Sequence, residues 1–271
     1  MIKSRKILWN LLAFCLAIVP TAHAFTPYSS PQSQAQLLFH RLDANTVQVG
    51  LWIELKDNWH TYWQNPGDAG LAPNLDLEIA PTIPVSDMQY PLPERITNGA
   101  ITTFGYHKQA LFLRNITLAE TDKTSYSLKA KVRYLVCEQV CIIEKTEFST
   151  NLSGQILPML SAHSESDILS QFIWPQTKTE RPISTQADSK TVTIVVSPEH
   201  PLSTKITDFF PARQVALELD PPTIVQNDVT ATLKMQKSDL TPESPMLKGL
   251  IVGIDNATQK PFGIWYEGVW K

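Results

Sequence analysis

From Tyr126 to Val136 every second residue is apolar, Tyr126, Leu128, Ala130, Val132, Tyr134 and Val136, while Ser127, Lys129, Lys131 and Arg133 fill the intervening positions. A period of two with one apolar face predicts a β-strand half-buried in a sheet. The same alternation recurs at Val47, Val49, Leu51, Ile53 and Leu55 against Gln48, Trp52 and Glu54, and at Val229, Ala231, Leu233 and Met235 against Thr230, Thr232, Lys234 and Gln236. Turn chemistry punctuates these runs at Asn65-Pro66-Gly67-Asp68, Pro91-Leu92-Pro93, Asn98-Gly99 and Asp220-Pro221-Pro222. Twenty prolines leave little room for long helices. The expectation is an all-β protein with two tandem immunoglobulin-like β-sandwich domains.

A break is expected where Ser153-Gly154, Pro158, Pro175 and a polar run from Thr177 to Ser189 interrupt the alternation. Ile168, Leu169, Phe172 and Ile173 recur there at helical spacing, predicting a short helix packed across the junction. The divisions are residues 25–155 for the first sandwich, 156–187 for the linker and 188–271 for the second.

The first 24 residues read as a cleavable export signal: basic Lys3, Arg5 and Lys6, an apolar stretch from Ile7 to Val19, then the small-x-small site Ala22-His23-Ala24. The mature chain then begins at Phe25, and Cys15 is discarded. The apolar stretch is short for a bilayer span, and no other segment is apolar enough to cross a membrane. Without Lys3, Arg5 and Lys6, 20 basic side chains face 26 acidic ones, a net charge of about −6 that argues against nucleic acid or anionic lipid as a partner. The expected location is an oxidising compartment outside the cytoplasm.

After signal removal the remaining cysteines are Cys137 and Cys141. An isolated pair in an exported protein points to one disulfide. Four residues of extended strand span about 13 Å, far beyond the roughly 5.5 Å between disulfide-bonded Cα atoms, so the chain must turn between them. Parity continues Cys137 into the polar row of its strand and puts Cys141 in register with Lys145, Glu147 and Ser149, so both sulfurs are expected near the solvent face of a hairpin end. A staple in a β domain is one reading. A three-residue loop makes a poor staple, because loop-closure entropy grows with loop length, and tight exposed pairs are the labile ones. A third reading has the reduced pair hold a soft ion such as Cu(I) together with His60, His107 or Met88.

Four motifs occur in order over about a hundred residues: Asn58-Trp59-His60-Thr61-Tyr62-Trp63-Gln64-Asn65-Pro66-Gly67-Asp68-Ala69-Gly70-Leu71, Tyr90-Pro91-Leu92-Pro93-Glu94-Arg95, Phe104-Gly105-Tyr106, and Tyr134-Leu135-Val136-Cys137-Glu138-Gln139-Val140-Cys141. Together they resemble the N-terminal periplasmic domain of the thiol:disulfide interchange (DsbD-like) proteins, on the branch that includes the suppressor-of-copper-sensitivity membrane reductases. The resemblance spans roughly Phe25 to Gln155. Asp208-Phe209-Phe210-Pro211 and Gly249-Leu250-Ile251-Val252-Gly253 extend it weakly into the second half.

The resemblance implies a sandwich whose cysteines exchange a disulfide with partners: a thioredoxin-like or membrane-embedded thiol reductase on one side and periplasmic disulfide proteins on the other. The chain shows neither membrane segments nor a Cys-x-x-Cys motif, so those partners act in trans, and no cofactor or resident metal is expected. By the same resemblance Cys141 is the sulfur that the upstream reductant attacks, Phe104 and then Tyr106 form an aromatic cap over the pair, and His60 and Tyr62 line its floor. Phe104 and Tyr106 also read as ordinary core aromatics at a strand end, and Trp59 and Trp63 as packing residues. Glu138 lies beside the pair, where a carboxylate disfavours the thiolate.

Overall fold

The computed structural model describes residues 26–118, 125–152, 168–176, 183–188, 190–196, 204–212, 219–227, 230–236 and 246–269. The expected signal, Val229 and most of the expected linker lie outside these residues.

One sheet of the N-terminal sandwich runs in the order β1 (Tyr28–Ser29), β2 (Ser33–Arg41), β3 (Thr46–Leu55), β8 (Gln109–Thr117). The facing sheet runs β10 (Cys141–Leu152), β9 (Tyr126–Cys137), β4 (His60–Gly67), β7 (Ile101–His107), β6 (Glu94–Asn98). Strand β5 (Asn74–Ala80) pairs with the first half of β9, so β9 has neighbours on both sides while β10 is the edge of the sheet among the described residues. The alternating runs do what their pattern requires: Val47, Val49, Leu51 and Ile53 from β3, and Leu128, Ala130, Val132, Tyr134 and Val136 from β9, are buried in one core. Burying each such side chain contributes about 1.5–3 kcal/mol for the larger aliphatics.

The second sandwich pairs β11 (Ile183–Ala187), β12 (Thr191–Val196), β15 (Ala231–Gln236) and β14 (Thr223–Gln226) in one sheet, and β13 (Thr204–Pro211), β16 (Met246–Asp255) and β17 (Pro261–Val269) in the other. Ala231, Leu233 and Met235 face its core with Val192, Ile194, Phe209 and Ile251.

Phe210, Leu250 and Val252 leave that core and join the first one. Trp63 stacks on Trp265 with ring centroids 5.9 Å apart and meets Phe210 edge-on at 6.1 Å. Asn65 Nδ2 donates to the Pro211 carbonyl at 2.8 Å, and Arg95 forks onto Asp208 at 2.8 and 3.0 Å. The chain between the sandwiches makes one helical turn at 168–170, and Ile168, Leu169 and Phe172 cover Leu38, Leu111 and Leu113 on the outer side of the first sheet. The helix expected there is thus a single turn within the described residues, and it packs on one sandwich.

Asn65-Pro66-Gly67-Asp68, expected as a turn between strands, begins inside β4. The pairing of β4 with β7 jumps from Tyr62↔Gly105 to Gly67↔Thr103, an irregularity that Gly67 absorbs at φ +80° and that Asn65 Oδ1 steadies by accepting from the Gly67 N–H at 3.2 Å. Asn98-Gly99 makes the β6–β7 hairpin, with Gly99 at φ +62°.

Candidate functional site

Strands β9 and β10 form a long hairpin closed by Glu138, Gln139 and Val140, with Cys137 and Cys141 directly opposite each other at its end. Their Cα atoms are 4.2 Å apart and the sulfurs are bonded at 2.03 Å. The turn is held by the Glu138 N–H donating to the Val140 carbonyl at 3.2 Å. Cross-strand pairs share a face, so the outward parity expected for the two sulfurs holds. Their exposure, expected to be alike, is not. Cys141 is exposed on the edge strand, whereas Cys137 is only 3% exposed because the start of β4 pairs with β9 on its other side.

That neighbour brings the remaining groups. Asn58 turns the chain into β4 at φ +71°, in the left-handed region Asn tolerates, and His60 becomes the residue paired with Cys137 on one side and His107 on the other. The buried Thr61 hydroxyl donates to the Leu135 carbonyl at 2.9 Å and fastens β4 to the hairpin. His60 and Tyr62 then share the outward face with the cysteines, and Tyr62 is nearly covered at 2% exposure. The Tyr62 oxygen lies 4.0 Å from Cys141 Sγ and 3.2 Å from His60 Nε2. A disulfide sulfur can only accept, so when the phenol donates to it the imidazole Nε2–H donates to the phenol.

Gly70 explains how Tyr62 reaches this position. At φ +115° it lies against the ring, where a Cβ would come within 2.2 Å of Tyr62 Cε1. Burial pushes the Tyr62 phenol above its ordinary pKa of 10.0, keeping it a neutral donor. Desolvation, and then the charge His107 would carry, hold His60 below its ordinary 6.5. His107, whose ring is 5.8 Å from that of His60, donates from Nδ1 to Glu94 at 2.9 Å.

Other expected site residues lie elsewhere. Phe104 and Tyr106 occupy the opposite face of β7 from His107 and are each 4% exposed in the core. Phe104 meets Phe210 edge-on at 5.2 Å beneath the Arg95 guanidinium, and Tyr106 donates to the Pro91 carbonyl at 2.9 Å and packs on Phe112. Neither covers the disulfide in this conformation; the face that would do so belongs to Gly105 and His107. Glu138 stays next to Cys137, exposed in the turn, and Met88 packs against the core. Trp63 is fully buried and Trp59 partly so, as packing residues.

Sequence reasoning did not single out Thr61, Gly70 or Glu94 as parts of the site. Gly70 carried a signal, since a glycine inside an aromatic-rich segment marks a close approach. Glu144, three residues beyond Cys141, broke the apolar inner row; it is 5% exposed and accepts from the Tyr28 hydroxyl at 2.6 Å, a bond that with burial pushes Tyr28 up to about 12.

Fold and site together define a β-sandwich protein presenting one sulfur of a hairpin-end disulfide to solvent. Residues 28–153 match the family described as thiol:disulfide interchange protein DsbD, N-terminal, and this segment belongs to it. No curated protein matches the chain. Among solved structures, the N-terminal periplasmic domain of ScsB from Proteus mirabilis is similar at 18% identity and a TM-score of 0.65, covering 90% of this chain and 98% of that one. It therefore shares the fold across both sandwiches. The reduced DsbD N-terminal domain of Neisseria meningitidis aligns at 16% identity over 50% of this chain and 90% of its own, with a TM-score of 0.28.

Proposed function

We propose that this chain is a periplasmic thiol–disulfide exchange protein that passes electrons through Cys137 and Cys141 from a thioredoxin-like or membrane-embedded reductase to disulfide-bonded targets. The observation that carries this reading is the unequal exposure of two bonded sulfurs, one open on an edge strand beside a phenol donor and one enclosed between strands. Membership of residues 28–153 in the DsbD N-terminal family supports it. The divisions near residues 155 and 187 belong to the same proposal, as do export by a cleaved signal and a role in copper tolerance.

The exchange runs as follows. A reductant thiolate attacks Cys141 Sγ; a new S–S bond forms, the Cys137–Cys141 bond breaks, and its electron pair leaves on Cys137 Sγ, which takes up a proton. The reductant's second thiol then displaces Cys141 as a thiolate, leaving the reductant oxidised and this chain reduced by two electrons. In the forward direction the exposed Cys141 thiolate attacks the target disulfide, and Cys137, held 4.2 Å away by Cα, resolves the mixed disulfide.

Single-cysteine variants test this. Cys137→Ser, with Cys141 first activated as the mixed disulfide with thionitrobenzoate, should pass that bond to a thioredoxin lacking its resolving cysteine, releasing thionitrobenzoate and leaving a stable mixed disulfide, and Cys141→Ser activated in the same way at Cys137 should trap far less. Equal trapping by both, or a Cys137–Cys141 potential below about −300 mV, the range of structural disulfides, would return the pair to a stapling role.

A further inference from the structure

The outer face of the β9–β10 hairpin is a ladder of cross-strand pairs leading away from the disulfide: Cys137↔Cys141, Leu135↔Ile143, Arg133↔Lys145, Lys131↔Glu147. Ile143 is 53% exposed, and Val140 in the turn is 63% exposed, so Cys141 has an apolar collar. The next rung places two cations directly opposite each other. Like charges in that position destabilise an antiparallel pair.

Two of the acids on this face are engaged with other lysines. Glu78 pairs with Lys131, and Glu147 pairs with Lys129 at 2.8 Å. Asp76 lies opposite Lys131 in the β5–β9 pairing, and Asn74, not an acid, lies opposite Arg133. Among the described residues neither Arg133 nor Lys145 has an ion-pair partner. Together with Asn74, Asp76, Lys131 and Glu147 they line an open groove of about 380 Å³. A lysine on an edge strand guards against aggregation, which accounts for Lys145. It does not account for Arg133, which sits on the interior strand β9.

We infer that this rung is a docking point for an acidic side chain of the redox partner, which specifies a partner surface as well as a thiol. The inference rests on the exchange function proposed above. Four residues of β10 separate Cys141 from Lys145, about 13 Å at roughly 3.3 Å per residue. The partner that fits is a protein carrying an apolar surround at its reactive cysteine and a carboxylate about 13 Å from that sulfur.

Three capped peptides test it, each with one cysteine and, four residues away, Glu, Gln or Lys. Their rates of attack on the Cys137–Cys141 disulfide are measured and normalised to their rates with hydroxyethyl disulfide, which removes differences in intrinsic thiol reactivity. Two exposed charge contacts predict a Glu-to-Lys rate ratio of about three to ten at low salt, falling toward one at about 0.5 M salt. Arg133→Glu with Lys145→Glu should invert the ratio, and Arg133→Gln with Lys145→Gln should bring it near one without adding charge. Equal rates for the three peptides, or a ratio that both double variants leave unchanged, overturns the docking role. A thioredoxin that reduces the wild-type protein no faster than the peptides do would instead refute the exchange function, whatever the peptide ratio.

Discussion

The Tyr62 phenol oxygen stands 4.0 Å from Cys141 Sγ, held there by a β-strand that touches the cysteine hairpin at the His60↔Cys137 pair. Negative charge spreads over three sulfurs in the exchange transition state, and a neutral donor beside the central one is worth more there than in the ground state. Tyr62→Phe keeps the ring against Gly70 and removes the donor. Reduction of the disulfide by a neutral dithiol should slow about three- to tenfold, matching the roughly 0.5–1.5 kcal/mol of one hydrogen bond, with the melting temperature nearly unchanged. An unaltered rate would make Tyr62 a packing residue only.

His60 makes stability depend on pH in a known direction. Its folded pKa is depressed, so between that value and 6.5 the unfolded chain binds more protons than the native one, and stability rises with pH. The contribution is complete above pH 6.5 and is lost as pH falls through the depressed folded value. His107, itself paired with Glu94, and Tyr62 face the same imidazole and are unchanged in a His60→Gln variant. Melting temperatures taken across this window should fall on acidification in the wild type and fall less in the variant. Parallel curves would assign the slope to other groups.

The face of the two cysteines was legible because a period of two survives through β9 and β10. Their unequal exposure was not, since it depends on which strand lies beside β9, and the Asn58 turn that delivers His60 there has no periodic signature. The aromatic cap shows the opposite case. In Thr103-Phe104-Gly105-Tyr106-His107 the alternation alone puts Phe104 and Tyr106 on one face and His107 on the other, and the structure follows that alternation. The motif resemblance pointed to the cysteines, and the local pattern pointed to the core. Asn65-Pro66-Gly67-Asp68 had every turn residue, yet its first three residues lie in β4, because an irregularity between strands uses the same left-handed glycine as a turn.

Phe104 now carries a different prediction from the one a cap would make. Its ring is enclosed by Phe210 and the Arg95 guanidinium, 4.9 Å from its centroid, and Arg95 is itself forked onto Asp208 of the second sandwich. Phe104→Ala should therefore cost about 3–5 kcal/mol, the range for truncating a buried phenylalanine, while the rate of disulfide reduction by dithiothreitol well below the melting transition stays within twofold of wild type. Arg95→Lys should lower stability too, since an ammonium cannot reproduce the two-point contact with Asp208 or the stacking on two rings. Both measurements belong to the same samples, because loosening of the whole domain would speed reduction only as the protein begins to unfold. A several-fold faster reduction by Phe104→Ala with an unchanged melting temperature would mean that Phe104 leaves the core to shield the cysteines in solution.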